Sequence, residues 1–251
     1  MIECRVPRVH LEERLMSGAA VVLPPGPAHH LRTVLRLAPG AAVAAFNATD
    51  GEWLCRIVDG SRDRVALQVE SRRRTAETET ETDLWLLFAP IKRARLDWLV
   101  EKATELGVAA LLPVWTARTQ VERLNLDRLR SHAVAAAEQS ERLSVPVLHP
   151  PQPLGALLAA WPPERRLLVC DETGGGAPIA AAVTQFGLEP IALLTGPEGG
   201  FAETELDSLD KLSFVIRVGL GPRILRADTA ALAALAVLQA GAGDWRPKRV
   251  G

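Results

Sequence analysis

The chain has 251 residues, 48% of them hydrophobic, enough for one large or two modest domains with a real core. A net charge of −1 supplies no bulk electrostatic drive toward nucleic acid. Cys4, Cys55 and Cys170 are odd in number, far apart and without a CxxC, which argues against a disulfide framework or a zinc site and suits a reducing compartment.

The N-terminus carries Glu3, Arg5, Arg8, Glu12 and Glu13 and has no apolar h-region, so no signal peptide is expected. The uncharged run 229–243 is too short and too rich in small residues to span a bilayer. The expectation is a cytoplasmic protein with no membrane partner. Charge is spread unevenly: residues 1–74 hold eleven Arg against eight acidic groups (+3), and the remainder eighteen basic against twenty-two acidic (−4).

In chain order, short β-rich runs at 19–23, 42–46, 53–58 and 65–69 alternate with turn signals: Pro24-Pro25-Gly26-Pro27, Pro39-Gly40, Asp50-Gly51 and Asp59-Gly60. Several short strands with regular turns predict a small β-barrel, interrupted by one short helix over 28–37. Within that helix Arg32 and Arg36 stand one turn apart, on the exposed side of Leu31, Val34 and Leu35. With Arg5 and Arg8 they make a candidate phosphate-binding face, although most such faces are ordinary solvated surface. The run 72–83 is polar, switches from Arg to Glu midway and reads as a linker, so the expected domains are 1–72 and 73–251.

Beyond it the texture changes to strands alternating with helices. Strands are expected at 84–88, 109–115, 167–170, 191–194 and 214–218. Leu96, Leu99, Val100, Ala103 and Leu106 recur at helical spacing, an alanine-rich helix covers 127–142, and a last helix over 228–240 opens on Asp228 as N-cap. This order predicts an α/β domain with a largely parallel sheet.

Two glycine-bearing loops follow strands in that domain: Leu193-Leu194-Thr195-Gly196-Pro197-Glu198-Gly199-Gly200-Phe201 and Leu220-Gly221-Pro222-Arg223-Ile224-Leu225-Arg226-Ala227-Asp228-Thr229. Taken singly, each glycine reads as a turn residue. Four of them (Gly196, Gly199, Gly200, Gly221) after two strands point to a ligand site at strand C-termini, where a bare backbone lies flat against a planar ring. Gly219-Leu220-Gly221-Pro222-Arg223-Ile224 begins like a dinucleotide fingerprint, but Ile224 replaces the third glycine and Pro222 removes a donor. No Lys-Ser/Thr follows Gly196, so the first loop is not a P-loop, and no histidine has metal-ligand spacing. Arg223 and Arg226 suit a phosphate or the edge of a substrate base as well as a solvated turn, and Glu198 suits a cap on the following helix.

LLTGPEGGF followed by LGPRILRADTA closely resembles the RsmE family of 16S ribosomal RNA uridine-N3-methyltransferases, of the SPOUT superfamily. Further agreement lies in Val34-Leu35-Arg36 with Pro39-Gly40, in Glu101-Lys102-Ala103-Thr104-Glu105-Leu106-Gly107-Val108, and in Ala136-Ala137-Glu138-Gln139-Ser140 ahead of Val145-Pro146. The match thus covers nearly the whole chain. Where the family has Arg-Thr-Glu-Thr, this chain has Arg226-Ala227-Asp228-Thr229, a carboxylate one methylene shorter and no hydroxyl before it. Gln139-Ser140-Glu141-Arg142 also departs from the usual Cys or Gly.

The resemblance implies a parallel-sheet domain with a trefoil knot, preceded by a PUA-like barrel that holds RNA. Simple connection rules would never produce the knot. It further implies S-adenosylmethionine held by Leu194, Thr195, Gly196, Pro197, Glu198, Gly199, Gly200, Leu220, Gly221, Ile224, Leu225 and Thr229, a homodimer, and the small ribosomal subunit as partner. For methyl transfer to uracil N3, Arg226 or Arg223 would stabilise charge on O2 and O4, and Glu198 or Asp228 would take the N3 proton or position the cofactor's amine. Two rival readings remain: ribose 2′-O-methylation by a sister SPOUT enzyme, and a non-catalytic RNA-binding assembly factor.

Overall fold

The computed structural model describes residues 6–58, 65–79, 81–187 and 189–246, in two compact units. Arg5 and the turn expected at Asp59-Gly60 lie outside the described residues. The first unit holds the described residues up to Glu79 together with Ala137–Val145; the second holds the rest.

In the first unit β1 (Arg8–His10), β2 (Ala20–Val22), β3 (Ala42–Asn47), β4 (Gly51–Val58) and β5 (Ala66–Arg74) form one sheet in the order β1-β3-β4-β5-β2. The β3, β4 and β5 pairings are antiparallel, and β1 joins β3 in parallel. No ladder joins β1 to β2 among the described residues, so the hydrogen-bonded ring expected of a closed barrel is not completed there. Alternate residues of β3 to β5 (Val43, Ala45, Cys55, Ile57, Leu67, Val69) point inward onto Leu11, Leu23 and Leu31, as a half-buried sheet requires.

Three expectations fail in this unit. β5 runs on to Arg74, so the supposed linker begins as strand. Its arginines have partners: Arg72 lies over the Trp53 ring at 4.8 Å, Arg73 pairs with Glu52 at 3.2 Å, and Arg74 donates to the Glu141 carbonyl at 2.7 Å. The helix expected over 28–37 is α1 (Pro25–His29) continued by one π-turn, His30–Val34. It ends before Arg36, which takes φ +55, so Arg32 and Arg36 do not share a helical face. Arg8 is no surface phosphate ligand. Its side chain is 7% exposed, pairs with Glu52 at 2.7 Å and donates to the carbonyls of Ala137, Glu138 and Arg142.

The second unit is built on a sheet in which every pairing is parallel. Its elements in chain order are β6 (Leu84–Phe88), α2 (Arg93–Glu105), β7 (Ala110–Trp115), α3 (Leu126–Gln139), β8 (Val147–Leu148), β9 (Gln152–Pro153), α4 (Leu154–Ala159) and β10 (Arg166–Cys170). There follow β11 (Ala177–Pro178), α5 (Ile179–Val183), β12 (Ile191–Thr195), α6 (Glu203–Leu209), β13 (Val215–Gly219) and α7 (Ala227–Gly241).

The strand order is β11-β13-β10-β12-β6-β7-β8, with β9 also on β7. Helices on both faces explain why the central strands read as unbroken apolar runs. One face buries Leu87, Leu112, Val169 and Leu194 with Trp161, Phe201 and Leu206. On the other side α7 packs against α2, α5 and β12. The helix starts at Ala227, so Arg226 is its N-cap and Asp228 stands one position inside, contrary to expectation.

Candidate functional site

β12 and β13 follow one another among the strands, yet β10 lies between them. Chain order reverses at that point, and such switch points leave a crevice beyond the strand C-termini. Three loops meet there: 171–176 after β10, 196–202 after β12 and 220–226 after β13. They line a cavity of about 590 Å³, within the roughly 300–1,000 Å³ usual for a small-molecule site.

Of the residues singled out in the sequence, Thr195, Gly196, Pro197, Glu198, Gly200, Leu220, Gly221, Arg223, Ile224, Leu225 and Arg226 line this cavity. Four do not. Leu194 is fully buried in the core beneath it, and Gly199 turns its carbonyl to Arg118 Nη1 at 2.9 Å. Thr229 is exposed on the first turn of α7. Asp228 is buried, with Oδ1 accepting the Thr229 N–H at 3.0 Å and facing Arg95 Nη1 at 3.9 Å.

The sequence reading missed the third loop altogether. Cys170, Asp171, Glu172, Thr173 and Gly174 form one wall, and Arg95 on α2 another. The signal was present, because Asp171-Glu172-Thr173-Gly174-Gly175-Gly176 follows an apolar strand as the other two loops do.

Glycines allow the close fit. A Cβ on Gly196 would press on the Phe201 ring at 3.1 Å, and one on Gly176 would sit 2.6 Å from the Val218 backbone. Gly200 has φ +68, and a Cβ there would overlap Glu172 Oε1. Glu172 Oε1 accepts the Phe201 N–H at 3.1 Å.

The electrostatics are uneven. Burial would raise the Asp171 pKa, but bonds from the Thr173 hydroxyl and N–H and from Arg217 (2.6 Å) outweigh it, and the carboxyl is held below its ordinary value. Arg217 is raised in turn, chiefly by that bond. Burial pushes the Cys170 thiol up to about 12, so it stays protonated and takes no nucleophilic part at neutral pH. Glu198 is exposed at the cavity and accepts a long bond (3.5 Å) from the Lys92 N–H at the start of α2, where the helix dipole favours negative charge. Arg223 and Arg226 are exposed and form no ion pair among the described residues.

Two family models match the chain. An RNA methyltransferase domain model matches residues 78–239, and an RNA methyltransferase PUA domain model matches 27–70. Ribosomal RNA small subunit methyltransferase E of Rickettsia conorii is 30% identical over 91% of this chain and 93% of its own length. The Bacillus subtilis protein of the same name is 29% identical over 84% of this chain and 86% of its own.

The crystal structure of ribosomal RNA small subunit methyltransferase E from Neisseria gonorrhoeae bound to S-adenosylmethionine superposes with a TM-score of 0.86. It is 30% identical, covering 96% of this chain and 100% of that one. With matches of that extent, and with the three-loop cavity at the sheet's switch point, the chain belongs to the RsmE family of 16S ribosomal RNA methyltransferases, within the SPOUT superfamily.

Proposed function

We propose that this chain transfers a methyl group from S-adenosylmethionine to N3 of a uridine in 16S ribosomal RNA of the small subunit. The observation that carries the reading is the convergence of three glycine-bearing loops on one cavity whose open edge holds two arginines and a carboxylate.

The residues present fit the cofactor. Leu220 and Leu225 offer apolar surface to a purine, and the bare backbone at Gly196, Gly219 and Gly221 offers amide groups to its edge. Glu198 places negative charge on the wall of the cavity, which suits a ligand carrying an ammonium and a sulfonium. When bound, S-adenosylmethionine supplies an electrophilic methyl.

The chain's own groups account for the rest. Uracil N3 holds a proton and is a poor nucleophile until it is lost. Glu198 faces the cavity and Asp228 does not, so Glu198 is the better acceptor of that proton. As N3 loses its proton, charge builds on O2 and O4, and the Arg226 and Arg223 guanidiniums donate hydrogen bonds there. Asp228, tied to Arg95 and to its own helix terminus, orients the start of α7.

The remaining parts of the reading are these. β12 enters a slot between β6 and β10, strands that precede it in the chain, and this supports the trefoil knot of the superfamily. Residues 1–72 act as the RNA-holding PUA-like domain and 73–251 as the methyltransferase domain. Of the four arginines first assigned to RNA, the exposed Arg36 and the half-buried Arg32, which also donates to the Leu37 carbonyl at 2.6 Å, keep that role. The working form is a cytoplasmic homodimer.

Calorimetric titration with S-adenosylmethionine, followed by transfer of labelled methyl to small subunits from cells lacking the activity, tests the reading. Binding with transfer is expected. Binding of subunits without any transfer would instead identify an assembly factor.

A further inference from the structure

The loop after β10 carries two adjacent carboxylates that reach to opposite neighbours in the sheet. Asp171 reaches β13. Its side chain has no exposed surface, and it accepts the N–H groups of Thr173 (2.9 Å) and Gly175 (3.0 Å) and the Arg217 guanidinium (2.6 Å). Arg217 belongs to β13 and is steadied from its other side by Asp210 at 2.9 Å. Glu172 reaches the opposite way. Its Oε1 takes the Phe201 N–H, and it occupies the space a side chain at residue 200 would need. The turn it holds is closed by the Gly200 N–H on the Pro197 carbonyl at 3.0 Å.

Resting on the reading of this cavity as the S-adenosylmethionine site, we propose that Asp171 and Glu172 form a positioning pair for the cofactor loops. Asp171 fixes the loop after β10 to β13. From that base Glu172 holds the turn 197–200 in the shape that receives the ligand. A loop ordered before binding loses less freedom on binding, so the pair acts on affinity. Glu172 works through the backbone of another loop, so the chemical step is not its target. A carboxylate–amide bond is charge-assisted, but this one is only part-buried, so an effect of about five- to ten-fold is expected.

The test uses Glu172→Ala and Glu172→Gln in the full chain. Hydrogen exchange across 196–203 is read in the ligand-free protein, and calorimetry then gives the S-adenosylmethionine Kd. In E172A, exchange at these amides rises about ten-fold and the Kd weakens about five- to ten-fold, while kcat at saturating cofactor stays within about two-fold. E172Q keeps an oxygen that accepts the Phe201 N–H and holds both exchange and Kd within about two-fold of wild type.

Unchanged exchange in E172A overturns the proposal. So does E172Q failing as E172A does, since charge on the ligand would then be what matters. Should E172A not fold, Gly200→Ala displaces the same carboxylate without removing it, and wild-type Kd in that variant would also overturn the proposal. If wild type does not bind S-adenosylmethionine but E172A still loosens the loop, the cofactor reading fails and the loop clamp stands.

Discussion

Arg226 has a backbone role and a side-chain role that mutation separates. Its main chain caps α7, where an extended φ/ψ suffices and alanine conforms, while its guanidinium is exposed at the cavity. Arg226→Ala therefore keeps S-adenosylmethionine affinity within about three-fold and lowers methyl transfer by about 10²–10³, the usual cost of one transition-state donor. Calorimetry beside turnover checks this, and equal loss of both would make Arg226 a structural residue. Asp171 yields a prediction about pH. Its folded-state pKa is depressed, so its stabilisation is complete above the unfolded value of 3.8 and disappears as pH falls through the lower folded value. Asp171→Asn should cost about 3 kcal/mol in urea denaturation at pH 6, as breaking a buried ion pair does, with the gap to wild type closing below about pH 4. A gap that persists at pH 2.5 would mean that shape, and not charge, holds the loop.

Helix α7 closes the second unit through one buried amide. Gln239 has no exposed surface; its Nε2 donates to the Leu106 carbonyl at 2.7 Å and its Oε1 accepts the Asp244 N–H at 3.1 Å. A Cβ on Gly243 would overlap that side chain, so the end of the helix is shaped around it. Gln239→Leu fills the space but takes their partner from the part-buried Leu106 carbonyl and the Asp244 N–H, and should cost about 1–2 kcal/mol by chemical denaturation. A loss under 0.5 kcal/mol would mean that water satisfies both groups. At the scale of elements much was legible beforehand. β6, β7, β10, β12 and β13 lie within a residue or so of the apolar runs that predict them, since a strand buried on both faces has no polar alternation to obscure it. Partners distant in sequence were not legible. Arg8 reads as a surface charge until the carbonyls of Ala137, Glu138 and Arg142, some 130 positions on, are brought to it. Arg72 to Arg74 read as linker until Trp53, Glu52 and the Glu141 carbonyl supply their contacts.

The molecule as a whole joins a small mixed sheet unit to a parallel-sheet unit whose chain order reverses at the cavity. Two of the three cavity loops stood out in the sequence because their glycines flank residues of evident chemistry. The third, 171–176, escaped because the partners of its carboxylates, Arg217 of β13 for Asp171 and the Phe201 N–H for Glu172, lie far along the chain. Among the described residues no helix is long and apolar enough to cross a membrane. Burial raises both described thiols, Cys55 to about 11 and Cys170 to about 12, so neither should alkylate at pH 8 until the chain unfolds. Mass mapping of iodoacetamide adducts checks this, and modification of Cys170 in the native protein would mean that its wall of the cavity opens.

N3 methylation of a 16S uridine is read most directly by nucleoside analysis. Small subunits lacking the modification are incubated with the protein and isotopically labelled S-adenosylmethionine, and the RNA is digested to nucleosides and analysed by mass spectrometry. Label is expected in 3-methyluridine, with the methyl retained on the base fragment. Label that leaves with the ribose fragment would contradict it and assign the chain to 2′-O-methylation.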